Sequence, residues 1–263
     1  MSTSTVTTLD TTRADVPFVR LINVELRKAV DTLAGRWMLI IIGVLTVLVD
    51  LIAVASLNAM NLDLRLSPLL WSQKNVMLPI VAALAILLAT SEWTQRTAMV
   101  TFTLTPQRWK TLAAKSIVAL ALGAGAFLLS LAIGSLLTLT GGNWDLSFAE
   151  LTPRFLTWLV FLAQALALGF LFLNSAAAIV TFYTIFVLGT FILSPILAFA
   201  SVKSDAVAHL WPWIDLYRAT FLTYHSKGWP TGEQWGQLLT SSAIWVLLPL
   251  AIGVWRVLHA EVK

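Results

Sequence analysis

The feature of this sequence that most restricts its fold is an almost uninterrupted apolar run of 46 residues, from Phe155 to Ala200. A helix needs about 20 mostly apolar residues to cross the hydrocarbon layer of a bilayer, so this run is long enough for two crossings. Asn174 and Ser175 interrupt the run near its middle and predict a tight turn there. The run therefore predicts two antiparallel membrane-spanning helices.

Four further stretches have the length and composition of membrane spans. Together with the two halves of the long run, they predict spans at about 37–57, 75–91, 116–140, 155–174, 176–200 and 238–255. Of the 263 residues, 58% are hydrophobic and only 11% are charged, whereas a soluble domain carries about 25% charged residues. Backbone polar groups in lipid must be paired within the segment, which favours helices over open strands. We therefore expect an all-α polytopic membrane protein with six transmembrane helices in residues 37–256.

The basic residues of the loops predict the orientation of these spans. If the amino terminus lies in the cytoplasm, the inner segments hold 11 Lys and Arg residues and the outer segments hold six. Lys and Arg are enriched in the cytoplasmic loops of membrane proteins. We therefore expect both termini in the cytoplasm, with residues 1–16 as a disordered tail and residues 257–263 as a second tail.

Residues 17–36 have the pattern of an amphipathic helix that lies along the inner membrane face. Their apolar side chains fall in one stripe of a helical wheel, and charged residues such as Arg27 lie opposite. Glu25 falls near the apolar stripe, where we expect it to pair with Lys28 one turn further on. The segment is either a plain membrane anchor or a docking surface for a cytoplasmic partner.

A polar loop at residues 92–115 separates the second predicted span from the third. Glu92 begins this loop, and Pro106 is expected to break it into two short helical pieces. The mixed charge and the length of the loop suggest contact with another protein. A loop retained inside by its basic residues alone, without a partner, is the other interpretation.

The outer segment at residues 201–237 is longer than a simple connection requires. It contains four Trp residues, and Pro212 and Pro230 are breakers within it. These features predict one or two short helices that dip into the outer leaflet. A loop of this length is more often functional than idle.

Polar side chains inside the predicted spans are few. Asp50 is the only acid there, and a charge at the bilayer centre costs ~2.5–3.5 kcal/mol on insertion scales. Asp50 lies in the outer third of the first span and has either a role in a substrate path or gate, or a structural partner. Gln164 is a second candidate for such a path, although hydrogen bonds between helices would also explain it.

Several kinds of site are excluded by what the sequence lacks. It has no cysteine, and its three His residues are scattered outside the predicted spans, so we expect neither a metal site nor a catalytic set. It also lacks the G-x-x-x-x-G-K-[ST] motif that cradles nucleotide phosphates. We therefore expect no enzyme and no partnership with nucleic acid, and any ATP that drives the chain must be hydrolysed by another subunit.

A family resemblance is carried by the order of residues around the polar loop. An acid at the end of the second span is followed by Thr97, by Pro106-Gln107-Arg108 and by a Lys that opens the third span. With the preceding amphipathic helix, this order resembles the ABC-2 family of export permeases, particularly the small bacterial ones encoded beside a separate ATPase. The resemblance implies that the loop is a coupling helix seated in a groove of the ATPase. The residues to which it assigns coupling contacts are Glu25, Arg27, Lys28, Glu92, Thr97, Pro106, Arg108 and Lys115.

The same resemblance implies the partners, the location and the cargo. It implies two permease chains, identical or paralogous, with two cytoplasmic ATP-binding subunits that carry ATP and magnesium, whereas this chain binds no cofactor. It implies a bacterial cell membrane as the location and an amphipathic or lipid-like compound, such as a drug, natural product or peptide, as the cargo. A secondary carrier or channel not driven by ATP is the alternative, and it predicts charges on several spans and an inverted repeat. An intramembrane enzyme, the third possibility, predicts catalytic groups clustered at one depth.

Overall fold

The computed structural model describes residues 17–97, 99–101 and 107–259, and these residues form helices and connections without a strand. Within these ranges, six helices are long and apolar enough to cross a membrane: α2 (Leu33–Ala59), α3 (Leu66–Thr94), α4 (Arg108–Thr138), α5 (Phe148–Phe172), α6 (Ser175–Lys203) and α9 (Gly232–His259). A shorter helix, α1 (Phe18–Asp31), precedes them, and α7 (Asp205–Ile214) and α8 (Leu216–Tyr224) lie between α6 and α9. The protein is an all-α polytopic membrane protein, and this prediction is confirmed. The predicted tail at residues 1–16, Pro106 and residues 260–263 lie outside the described residues.

The two ends of the helix bundle carry different elements. At one end, which we call the proximal end, α1 packs against α4 and is joined to α3 by the ion pair of Lys28 with Glu92. At the same end, Arg108 at the start of α4 donates hydrogen bonds to the carbonyls of Val257 and Leu258 near the end of α9. The opposite, distal end carries the α2–α3 and α4–α5 connections, which pair at Arg65 and Asn143, together with α7 and α8. The first and last described helices therefore reach the same end of the bundle.

The structure moves two predicted boundaries at the proximal end. α1 ends at Asp31, and Thr32 caps α2 by accepting a hydrogen bond from the Gly35 amide at 3.2 Å, so residues 33–36 belong to the first span. Residues 108–115, predicted as loop, are the first two turns of α4. No Gly or Pro interrupts them, and most are good helix formers, so the span helix extends through them.

The turn that divides the long apolar run lies where the sequence predicts it. α5 ends at Phe172, and Leu173 takes a left-handed conformation with φ of 53°. Asn174 then caps α6 by accepting a hydrogen bond from the Ala177 amide at 3.0 Å. The left-handed residue and the cap together reverse the chain within two residues.

Two spans contain π-helical segments, each just before a proline. Leu188–Leu193 of α6 precedes Pro195, and Ala243–Leu247 of α9 precedes Pro249. A proline ring clashes with the carbonyl four residues earlier and leaves it without a donor. In both helices that carbonyl lies within the π-helical segment, so the wider turn accommodates the proline without ending the helix.

α3 and α5 form the centre of the bundle, and close packing joins them. In the most apolar 18-residue stretch of each of these helices, 61% of the residues are buried, against 17% in α2 and 6% in α6. Gly169 of α5 faces α3, where an added Cβ would lie 2.7 Å from the Cβ of Ala89. Because Gly169 has no side chain, the two central helices can approach closely. The less buried helices α2 and α6 present apolar faces suited to lipid or to another chain.

Substituting Gly169→Ala is expected to destabilise the purified protein in detergent by about 1–3 kcal/mol, because the new methyl group overpacks the α3–α5 contact. Gly125→Ala is the matched control, since a Cβ at Gly125 of α4 would meet nothing within 4 Å. It should be neutral or stabilising by up to about 1 kcal/mol through helix propensity. Thermal and denaturant unfolding of the two variants measures the difference, and equal stability would contradict this packing.

Candidate functional site

Four charged side chains from three helices meet at the proximal end and form what we call the charge cluster: Glu25 and Lys28 of α1, Glu92 of α3 and Lys115 of α4. Lys115 Nζ lies 2.8 Å from Glu25 Oε2 and 2.7 Å from Glu92 Oε2. Lys28 Nζ lies 2.7 Å from Glu25 Oε1 and 3.2 Å from Glu92 Oε1. Each ammonium has two carboxylate partners and each carboxylate has two ammonium partners, so the charges alternate around a closed ring.

Three members of the charge cluster are removed from water. The exposed fractions of Glu25, Glu92 and Lys115 are 3%, 2% and 1%, and burying an ion costs several kcal/mol unless partners compensate it. Lys115 Nζ also donates to the carbonyl of Leu88 at 3.0 Å and to the hydroxyl of Ser91 at 2.8 Å. Every N–H of this ammonium can therefore reach an acceptor, and the formal charge of the ring is zero.

Lys28 is the member through which the ring meets solvent, because 40% of its side chain is exposed. Burial lowers the pKa of this ammonium, but the carboxylates of Glu25 and Glu92 outweigh burial, and the pKa lies above its ordinary value. Lys28 is therefore charged at physiological pH.

Part of this arrangement follows from local sequence and part does not. The predicted pairing of Glu25 with Lys28 is confirmed, since residues three apart share one face of a helix. Glu92 lies in the last turn of α3 as expected. Lys115 was expected to open the third span, but it is buried two turns inside α4, where it becomes the centre of the cluster.

Three other residues predicted to contact an ATPase, Arg27, Thr97 and Arg108, lie outside the charge cluster, and Pro106 is not among the described residues. Arg27 is exposed on α1, and Thr97 is exposed just after α3. Arg108 donates a hydrogen bond from Nη1 to the carbonyl of Val257 at 3.0 Å, and this bond connects α4 to the end of α9. Of the eight residues, the structure gathers four in one site and leaves two on the surface beside it.

A pocket of about 340 Å³ adjoins the charge cluster between α1, α2 and α3. Lys28, Glu92 and Thr97 all line it. The chain turns sharply here, because Arg96 has a φ of 56° and the Thr97 amide donates to the Glu92 carbonyl at 2.8 Å. This proximal pocket places polar and apolar surface next to the exposed side of the ring, where a segment of another protein could bind.

The two residues predicted for a substrate path have different surroundings. Asp50 is buried in α2 and accepts a hydrogen bond from the side chain of Gln73 in α3, so it has a partner on a neighbouring helix. Gln164 is buried in α5, and neither atom of its amide has a hydrogen-bond partner among the described residues. A helix-to-helix hydrogen bond therefore does not account for Gln164 within the described residues, and its place in a substrate path stays a prediction.

The polar residues that are buried at the distal end could not be predicted from the sequence. Gln73 and Lys74 precede the predicted second span at 75–91, yet the structure buries both in α3, which begins at Leu66. Nothing in the local pattern distinguishes them from loop residues, because only contacts with other helices bury them.

Other kinds of site find no support in the described part of the chain. It contains no group of three His, Cys, Asp or Glu residues that could hold a metal ion. Comparison with known proteins gives no relative either: no model of a protein family matches the chain, and no curated protein matches it. The charge cluster and the proximal pocket are therefore the features from which a function can be inferred.

Replacing Lys115→Met is expected to destabilise the protein by about 3–5 kcal/mol, because it leaves two buried carboxylates with one shared ammonium. Arg27→Met removes the same charge from an exposed position and should change stability little. The double variant Glu92→Gln/Lys115→Met leaves a balanced Glu25–Lys28 pair and should recover part of the loss. Unfolding in detergent measures all three, and a Lys115→Met variant as stable as Arg27→Met would contradict the ring.

Proposed function

We propose that this chain is the permease subunit of an ABC-2 type exporter, in which a separate ATP-binding subunit drives the export of an amphipathic or lipid-like compound. The observation that carries the proposal is the charge cluster, which joins an interface helix and two spans at one end of the bundle. A chain without a nucleotide-binding motif needs an external source of energy. The cluster is the kind of rigid connection through which such a source could act.

The geometry suggests how force would pass from the partner to the spans. A push on α1 reaches α3 through Glu92 and α4 through Lys115, since both contact Glu25 or Lys28 of α1. These contacts resist slipping, because separating one partner from the ring exposes an uncompensated buried charge. α1 and the two spans would therefore move as one body when the partner moves.

The proposal gives two different roles to five of the eight coupling residues. Glu25, Glu92 and Lys115 are buried and would act inside the chain, by holding α1 against the spans. Arg27 is exposed on α1, Thr97 is exposed and lines the proximal pocket, and both would contact the ATP-binding subunit directly. Loss of transport on replacing Glu92 would therefore not identify a surface contact, whereas the exposed residues can be changed without opening the ring.

The remaining parts of the proposal concern location and assembly. The proximal end would face the cytoplasm of a bacterial cell, where two ATP-binding subunits carry ATP and magnesium. A second permease chain, a copy or a paralogue, would complete the transport path, and the exposed apolar face of α6 is available for it in the bilayer. A carrier or channel that does not use ATP is the second candidate, favoured by the buried polar atoms of Asp50 and Gln164 that lack partners.

The proposed orientation can be tested on single cysteines, because the chain has none of its own. Lys227→Cys at the distal end is expected to react with a membrane-impermeant maleimide in intact cells. Thr97→Cys at the proximal end is expected to react only after the cells are permeabilised. Both positions are exposed, so accessibility within the protein does not differ. Labelling of Thr97→Cys in intact cells would place the proposed coupling surface outside the cell and would exclude an ATPase as its partner.

Charge reversal at Arg27 tests the coupling surface itself. The ATPase encoded beside the chain is expected to copurify with the wild-type chain in mild detergent, and Arg27→Glu is expected to weaken that association by at least about tenfold, since opposed like charges disfavour an interface. Lys227→Glu makes the same change at the distal end and should leave the association unchanged.

ATP-dependent transport in vesicles should fall in Arg27→Glu, which binds the ATPase more weakly, and should be unchanged in Lys227→Glu. The melting temperature of both variants should stay near that of the wild type. Full association of Arg27→Glu and of Thr97→Trp would show that this surface is not the docking site. Transport that continues in vesicles without ATP would favour the carrier.

A further inference from the structure

Lys74 of α3 is a buried cation at the distal end, far from the charge cluster in the fold. Its residue is 8% exposed, and its ammonium faces three aromatic rings. The ring centroids of Tyr224, Trp71 and Phe161 lie 4.5, 5.0 and 5.4 Å from Nζ. No carboxylate of the described residues pairs with it. Contacts with ring faces offset only part of the cost of burying an ammonium, so the site lacks a negative partner.

Further positive charge surrounds the same rings. The guanidinium of Arg154 in α5 lies 5.1 Å from the ring centroid of Tyr224, and its buried Nε has no hydrogen-bond partner among the described residues. His225 packs against Trp71 and Tyr224. Burial lowers the pKa of His225, and the charges of Lys74 and Arg154 lower it further. The region therefore has an excess of positive charge.

The acidic side chains of the distal end are occupied elsewhere. Four of them accept hydrogen bonds from other residues, in the pairs Asp50 with Gln73, Asp145 with Ser67, Glu150 with Ser147, and Asp215 with Trp211. Arg154 donates from Nη1 to the backbone carbonyl of Glu150 at 2.6 Å, and the carboxylate of Glu150 offsets part of its charge. Lys74, by contrast, has no carboxylate partner among the described residues.

Lys74 borders a small pocket of about 70 Å³ that also receives polar groups from α6 and α8. Tyr217 of α8 lines this pocket, and its buried hydroxyl has no hydrogen-bond partner among the described residues. Thr190 and Ser194 of α6 add two hydroxyls to the lining. An ammonium together with uncommitted hydroxyl donors is the set of groups that binds a carboxylate or a phosphate.

Tyr217 also lines a larger cavity of about 550 Å³. Its walls are almost entirely apolar and come from α6, α7 and α9, with Leu188, Val207 and Trp245 among them. Ligand pockets usually measure about 300–1,000 Å³. The π-helical segments of α6 and α9 both contribute to the walls, and such segments are frequent at functional sites. A cationic pocket and an apolar cavity therefore share one wall residue, Tyr217.

We propose that the distal end binds an anionic amphiphile, with its acid group beside Lys74 and its apolar chain in the cavity beyond Tyr217. The acid group supplies the charge that Lys74 lacks, and the chain fills space that water would occupy unfavourably. A carboxylate or phosphate on a long apolar chain occurs both in free fatty acids and in anionic membrane lipids. The site does not depend on an ATPase, so its test is separate from the tests of coupling.

The test uses the full chain in phosphatidylcholine nanodiscs and a palmitate analogue that carries a photoreactive diazirine near the end of its chain. Cross-linked residues, mapped by mass spectrometry, are expected in the cavity walls at residues 188–193 and 205–214. Unlabelled palmitate should compete, whereas methyl palmitate, which has no charge, should compete at least about tenfold more weakly, the usual scale of a charge-assisted hydrogen bond.

Two variants separate the head and the tail of the ligand. Lys74→Met removes the ammonium but keeps an apolar chain, and it should lower specific labelling about tenfold or more. Lys227→Met, which is exposed at the same end, is the matched control and should label like the wild type. Val207→Phe narrows the cavity, leaves Lys74 in place and should also lower labelling.

Phosphatidylglycerol in the nanodisc distinguishes the sources of the ligand: competition by it indicates a membrane lipid, and competition by palmitate alone indicates a free acid. Either result supports an anionic amphiphile. Equal competition by palmitate and methyl palmitate, wild-type labelling of Lys74→Met, or cross-links confined to residues outside the cavity would overturn the proposal. The comparison of palmitate with methyl palmitate uses the wild-type chain, so it tests recognition of the acid group even if Lys74→Met does not fold.

Discussion

Lys115 carries a positive charge in a place that water does not reach, and two carboxylates from two other helices make this possible. The rest of the proximal end depends on that interaction. Glu25 can lie on the buried side of α1 because the ammonium of Lys115 pairs with it there. Glu92 can lie inside the bundle at the end of α3 for the same reason. Burying these charges is costly, but leaving one of them without its partner is costlier, so the three helices are held in one relative position.

The two ends of the bundle differ in whether their buried charges are paired. At the proximal end, two carboxylates and two ammonium groups neutralise one another, and the surface around them is free to receive another protein. At the distal end, Lys74 faces aromatic rings and pairs with no carboxylate of the described residues, and its small pocket shares Tyr217 with an apolar cavity. A balanced charge site is suited to transmitting motion, whereas an unbalanced one is suited to binding an anion. An exporter with its motor at one end and its ligand at the other would use both.

Several features were predictable because they follow from chain composition or from neighbours in sequence. The six spans follow from the length of the apolar runs, the reversal follows from Asn174, and the pair of Glu25 with Lys28 follows from helical spacing. The burial of Lys115 and of Lys74 was not predictable, because a basic residue beside an apolar run has the same local pattern in a loop as in the first or second turn of a longer helix. The surroundings of Gln164 were not predictable for a related reason, because contacts with other helices cannot be read from one segment.

The sequence alone determined that this chain crosses a membrane as helices, how many times it does so, and which residues could pair within one helix. These properties depend on transfer of apolar side chains from water and on contacts three or four residues apart, which are local quantities. Only the tertiary structure decided which charges meet. Glu25, Glu92 and Lys115 are separated by 67 and 23 positions in the chain, and they come within hydrogen-bond distance only when α1, α3 and α4 pack together. The free energy of a buried charge depends on its neighbours in space, and these neighbours come from distant parts of the chain.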